Sequence, residues 1–141
     1  MVHARMFDDD DPRLARVRSL ALALPDAQEK ISHGRPAFFT TKVFAYYGTS
    51  RRVDDAWVQH PHHLVVQPDP DDRAALLRDP RVLVPAYLGG AGWIGVLLPE
   101  PTHPRGWDEV AELLDASYRR TAGARRVARL DQRGATPPSD A

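Results

Sequence analysis

The sequence predicts an α+β protein with a single antiparallel sheet packed against helices. Amphipathic stripes at helical spacing lie towards both ends of the chain, at Leu14, Val17, Leu20 or Ala21, and Leu24, and again at Trp107, Val110, Ala111, Leu114 and Tyr118. Between them run short β-branched and aromatic segments, interrupted by one brief helical signal. Strands bracketed by helices, rather than alternating with them, are the α+β pattern.

The first helix starts at Asp11, a good N-cap, with Pro12 at its first position, and ends at Leu24-Pro25 because a residue before proline avoids the α region. Residues 28–32 form a short strand, and Gly34-Arg35-Pro36 is a break. Residues 37–40 and 42–47 pair as strands across a tight connection at Thr41. Residues 48–52 read as a turn or loop, and residues 62–67 as the next strand, entered through Pro61 and left through Pro68. Asp69-Pro70 repeats the cap signal and opens a short helix that stops before Asp79-Pro80. Two apolar runs then flank a glycine-rich turn, Leu88-Gly89-Gly90-Ala91-Gly92, in a hairpin-like connection. The last helix spans about residues 107–121, with acids at its start, Arg119 and Arg120 at its end, and Gly123 as C-cap. One domain is expected over residues 1–123, its first six or so residues flexible, and a largely disordered tail over residues 124–141.

Composition narrows the function classes. The chain has no cysteine, which removes disulfides, thiolate metal sites and a cysteine nucleophile and suits a reducing cytoplasm. No apolar run is long enough to span a membrane, and the start of the chain lacks an apolar signal core, so a cytoplasmic protein without membrane contact is expected. Net charge is zero, from 19 basic and 19 acidic residues, but the charges are partly segregated. Arginines gather at Arg51-Arg52, Arg119-Arg120 and residues 125–133, and aspartates at residues 8–11.

Gly90, Gly92 and Gly95 make a literal G-x-G-x-x-G. That motif cradles a dinucleotide phosphate only when a helix opens on it, and here a strand-like run follows, so no nucleotide cofactor is expected. No nucleophile elbow, zinc-protease helix or P-loop occurs, so the protein is expected not to be an enzyme. His60 and His62 are weak metal candidates, able to meet at one strand end but without a neighbouring acid; polar strand-end histidines are the plainer reading, and no metal is expected. His33-Gly34-Arg35-Pro36 is the most suggestive polar motif, a stiff loop that presents His33 and Arg35 or pairs Arg35 with a carboxylate. Tyr87 and Trp93 flank the glycine turn and are expected to be core or half-buried, or else a stacking surface for a base or small aromatic ligand.

Taken in order, His33-Gly34-Arg35-Pro36-Ala37-Phe38, Lys42-Val43-Phe44-Ala45, Pro85-Ala86-Tyr87, Trp93-Ile94-Gly95-Val96-Leu97-Leu98, residues 109–114, and Ser117-Tyr118 resemble the MmcQ/YjbR family. The resemblance implies a frataxin-like (CyaY-like) fold and a "double wing" DNA-binding role. DNA binding would then rest on Arg35, Lys42, Arg51 and Arg52, joined by Arg119 and Arg120. The family's turn before the late tryptophan is often polar and basic, whereas Leu88-Gly89-Gly90-Ala91-Gly92 carries no charge. The alternative is a non-enzymatic small-molecule or protein-binding module, using a pocket near His33, Arg35, Tyr87 and Trp93.

Overall fold

The structure, a computed structural model, describes residues 5–135. It contains α1 (Pro12–Leu22), β1 (Gln28–Ser32), β2 (Arg35–Phe39), β3 (Val43–Val53), β4 (Ala56–Val66), α2 (Pro70–Leu76), β5 (Val82–Leu83), β6 (Ile94–Leu97), α3 (Gly106–Thr121) and α4 (Ala124–Ala135). All six strands join one antiparallel sheet in the order β1-β2-β3-β4-β6-β5. The expected α+β class is what is observed.

Pairing register sorts the side chains onto two faces, because directly opposed residues point the same way. The row Phe38, Ala45, Val66, Ile94 and the row Tyr47, Leu64, Val96 face α1 and α3. There they meet Leu14, Val17 and Ala21 from α1 and Trp107, Val110, Leu114 and Tyr118 from α3, all buried. Each large side chain buried this way contributes roughly 1.5–3 kcal/mol. Two buried polar residues fix α3 on the sheet. Ser117 Oγ donates to Phe44 O (2.5 Å) and accepts from Gln67 N–H (2.9 Å), and Tyr118 Oη donates to Pro25 O (2.7 Å).

Three expectations about the strands change. Residues 48–52 are not a loop. β3 continues through them to Val53, turns at Asp54-Asp55 and returns as β4 from Ala56, so β4 also begins six residues before His62. Asp54 and Asp55 both have positive φ (49° and 64°), the geometry of a two-residue hairpin turn that follows the twist of the strands. Pro61 lies inside β4, where the register slips between Tyr47 and Thr49; a bulge is where a strand tolerates a residue without an N–H. The break at residues 34–36 is likewise a His33-Gly34 turn (φ 51° and 83°), and Arg35 and Pro36 already belong to β2.

Residues 124–135, expected to lack structure, form α4. Arg126 and Arg129 both pair with Asp26, Arg119 bridges to Asp131 (2.8 Å), and Leu130 packs against the core. Polar anchoring replaces the apolar stripe that a core-facing helix would show. Residues 136–141 of the expected tail, and residues 1–4 of the expected flexible start, lie outside the described residues.

β5 and β6 do pair antiparallel, but their connection spans residues 84–93 and contains a single 3-10 turn at Gly89–Ala91. The glycines make no phosphate cradle. Arg73 donates to Gly89 O (3.3 Å) and Gly92 O (3.2 Å), so the turn presents carbonyls to a cation already in place. Gly95 sits under Leu83, where a Cβ would come within 2.9 Å of Cδ1.

Candidate functional site

The second face of the sheet carries the row Ala37, Tyr46, Val65, Gly95. Among the described residues no α-helix covers it. Instead the 84–93 connection folds back over it, with Ala86 N–H donating to Ser50 O (3.2 Å), and the segment before α1 crosses its edge, with Met6 N–H donating to Gly34 O (2.9 Å). Between these cover segments lies a half-open pocket of about 510 Å³. Its walls include His33, Arg35, Tyr46, Thr49, Val65 and Tyr87. That size falls within the range of small-molecule sites.

Arg35 is the polar centre of the pocket. It is the first residue of β2, delivered by the His33-Gly34 turn, and only 9% exposed. Its guanidinium donates to Thr49 O (3.3 Å), Met6 O (3.4 Å) and Gln59 Oε1. All three acceptors are neutral, and among the described residues no carboxylate pairs with it. The expectation of a carboxylate partner for Arg35 is therefore not met there. Burial pushes its pKa down from the ordinary arginine value, but a guanidinium stays charged at any physiological pH. Space for it comes from the β3 bulge: Gly48 (φ 83°) has no Cβ, and one built there would collide with Arg35 Nη1.

Tyr87 and Trp93 part ways. Trp93 is buried and tilts against Tyr46 with ring centroids 5.6 Å apart, so it backs the pocket wall without lining it. Tyr87 is not core; it is 89% exposed, has φ 64°, and stands at the pocket rim 5.9 Å from the ring of Trp57. A bulky residue held in the left-handed region marks local strain, which clusters at functional loops.

Arg51 and Arg52 project from the β3–β4 hairpin, where Arg52 lies over Trp57 (5.4 Å) and Arg51 Nε donates to His60 Nε2 (3.2 Å). Lys42 precedes the other end of β3, roughly 30 Å of strand away at about 3.3 Å per residue. Arg119, a suggested phosphate contact, is instead bound by Asp115 and Asp131.

The histidines also separate. His62 Nε2 lies 3.3 Å from Asp11 Oδ2 on the helix-bearing side, whereas His60 packs edge-on against His63 at 5.0 Å. Burial, then nearby His60 and Arg51, push the His63 pKa down to about 4, and burial with Arg51 and Arg35 lowers that of His60. Among the described residues no three His, Asp or Glu side chains converge as metal ligands. None of their helices is long and apolar enough to cross a membrane.

Sequence reasoning missed Tyr46, Thr49, Gln59, Val65 and Trp57. Tyr46 and Val65 could be found only from the pairing register, and Gln59 and Trp57 only by recognising the Asp54-Asp55 hairpin.

The fold and the pocket define an α+β sheet protein whose helix-free face holds a half-enclosed, mostly apolar cavity around one buried cation. The YjbR family model matches residues 22–120, and the chain belongs to that family. Neither the curated proteins nor the solved structures compared with it yield a match.

Proposed function

We propose that this YjbR-family protein is a non-enzymatic binding module that takes a small molecule into the pocket on the helix-free face of its sheet. Arg35 carries the reading. A nearly buried guanidinium held by neutral oxygens alone keeps its full charge beside an apolar cavity, and charges so placed are usually paired. A cysteine-free chain suits the reducing cytoplasm, which is where we place it. The test is a fragment screen on the full chain followed by amide NMR. Hits should move the resonances of Arg35, Thr49 and Ala86 together, and Ala86→Trp, which fills the cavity, should abolish the shifts. A broad screen that leaves those resonances still sinks the reading.

A second reading is nucleic-acid binding by the β3–β4 hairpin. Its support is the exposed group Arg51, Arg52, Trp57 and Tyr87, a basic tip interleaved with rings on which bases can stack. Anisotropy titrations with labelled single-stranded and duplex DNA at low salt test it. Binding should weaken with salt and fall at least tenfold in Arg51→Ala/Arg52→Ala; absence of binding at tens of micromolar protein rejects it.

A further inference from the structure

We propose that the pocket's ligand is a small organic monoanion, a carboxylate on a flat apolar body, with the carboxylate held by Arg35. This rests on the reading of the cavity as a ligand site and adds the chemical class of what fills it.

Charge comes first. Among the described residues, Arg35 is the one permanently charged side chain lining the cavity, and no aspartate or glutamate lines it. A cationic ligand would meet a like charge and find no partner. A neutral ligand would leave the guanidinium charge as it stands. A phosphate monoester would bring nearly two negative charges against a single permanent positive one in a partly desolvated site. One negative charge balances the site. Nη2 already gives both its N–H groups, to Thr49 O and Gln59 Oε1, so the head group is met by a single charge-assisted bond from Nη1, which a small planar carboxylate can accept.

The backbone points the same way. Phosphate sites are commonly built from helix N-termini or runs of N–H groups. Among the described residues no first residue of an α-helix lines this cavity, and the backbone groups at the guanidinium, Met6 O and Thr49 O, are carbonyls. They hold the arginine and offer an anion no N–H of their own.

The body of the ligand is set by the walls. Val65 and Tyr46 come from one cross-strand row, and Leu88 closes the cavity from the 84–93 connection. Tyr87, at the rim, offers a ring face for a flat group. Ser32 and Ser50 add hydroxyls that serve a carboxylate or a ring substituent.

Benzoate, benzamide and phenyl phosphate test the assignment, because they share one ring and differ in the head group. Each is titrated into the full chain with amide NMR as the readout. Benzoate should shift Arg35, Thr49 and Ala86 and bind at least tenfold more tightly than benzamide, with phenyl phosphate weaker than benzoate. Arg35→Gln should bring benzoate down to the level of benzamide. Should that variant fail to fold, the three-probe comparison on the unaltered chain still decides. Equal or tighter binding of benzamide or phenyl phosphate at the same resonances overturns the monoanion and leaves the pocket standing. Still resonances with all three probes at millimolar concentration overturn the pocket and the monoanion together.

Discussion

Arg35 and Gly48 share one space: the guanidinium of the first lies where the side chain of any residue replacing the second would begin. The contact joins two irregularities. The His33-Gly34 turn delivers Arg35 to the start of β2, and the β3 bulge opposite Pro61 turns Gly48 to φ 83°. Pairing of β2 with β3 stops at Ala37↔Tyr46, one residue short of Pro36, which has no N–H to give. Arg35 and Gly48 both line the pocket, next to where this pairing ends.

Gly48→Ala should destabilise the protein by roughly 2–3 kcal/mol, from left-handed strain and displacement of Arg35. Denaturant unfolding measures it. Combined with Arg35→Met, which removes the fork, the loss should fall short of the sum of the single losses by about 1 kcal/mol. Strict additivity would show that Gly48 matters for its backbone alone.

His63 should make stability pH-dependent below neutrality. Its folded pKa, about 4, lies below the ordinary histidine value of 6.5, so the unfolded chain binds more protons between those values. The stabilisation is complete above pH 6.5, shrinks as the pH falls, and is gone below about 4. Its size, after allowing for partial solvent contact, is on the order of 1–2 kcal/mol. Unfolding at pH 7 and pH 4.5, repeated for His63→Gln, should show a clearly smaller drop in the variant. An unchanged drop would assign the effect to other groups, the carboxylates of Asp9, Asp26 and Asp79 being held low by arginines.

The sequence was most legible where one face of an element is buried. α1 and α3 show their core stripes as helical spacing, and both Asp-Pro caps sit where expected, each carboxylate accepting the N–H two residues on (2.9 Å). The far half of the β3–β4 hairpin shows no such pattern, because residues 51–59 are exposed on both faces and no alternation marks them as strand. Its trace in the sequence is Asp54-Asp55 alone, two residues that tolerate positive φ. α4 is hidden for another reason: its anchors are arginines that reach an aspartate about 100 positions away. The pocket is legible in part. His33, Arg35 and Tyr87 stand out as polar or turn-flanking residues, but the neutral acceptors that hold Arg35 come from residues 6, 49 and 59, which only the fold brings together.

α4 should depend on Asp26. Asn tolerates the positive φ of that position (61°), so Asp26→Asn removes the charge and keeps the turn. Arg126 and Arg129 then lose their shared partner. Amide exchange within residues 124–135 should accelerate several-fold while α3 stays protected. Raising salt should accelerate it in the unaltered chain too, since exposed pairs are screened. Unchanged exchange in the variant would mean that Leu130 and the Arg119–Asp131 pair hold the helix without Asp26.

Asp11 and Asp69 look alike in sequence and should not cost alike. Each caps a helix and precedes a proline. Asp69 does no more than that among the described contacts, on an exposed turn. Asp11 uses its second carboxylate oxygen to accept from Tyr47 Oη and to meet His62, which ties the start of α1 to β3 and β4. The Tyr47 hydroxyl is buried, and its pKa is pushed up by that burial and by the carboxylate beside it. Asp69→Ala should cost about 0.5–1 kcal/mol, an ordinary cap. Asp11→Ala should cost about 2–3 kcal/mol, because it also leaves a buried hydroxyl without its acceptor. Tyr47→Phe identifies the difference: in that background the cost of Asp11→Ala should fall towards that of Asp69→Ala. Equal costs for the two aspartates in the unaltered chain would reduce Asp11 to a helix cap and remove the tie between α1 and the sheet.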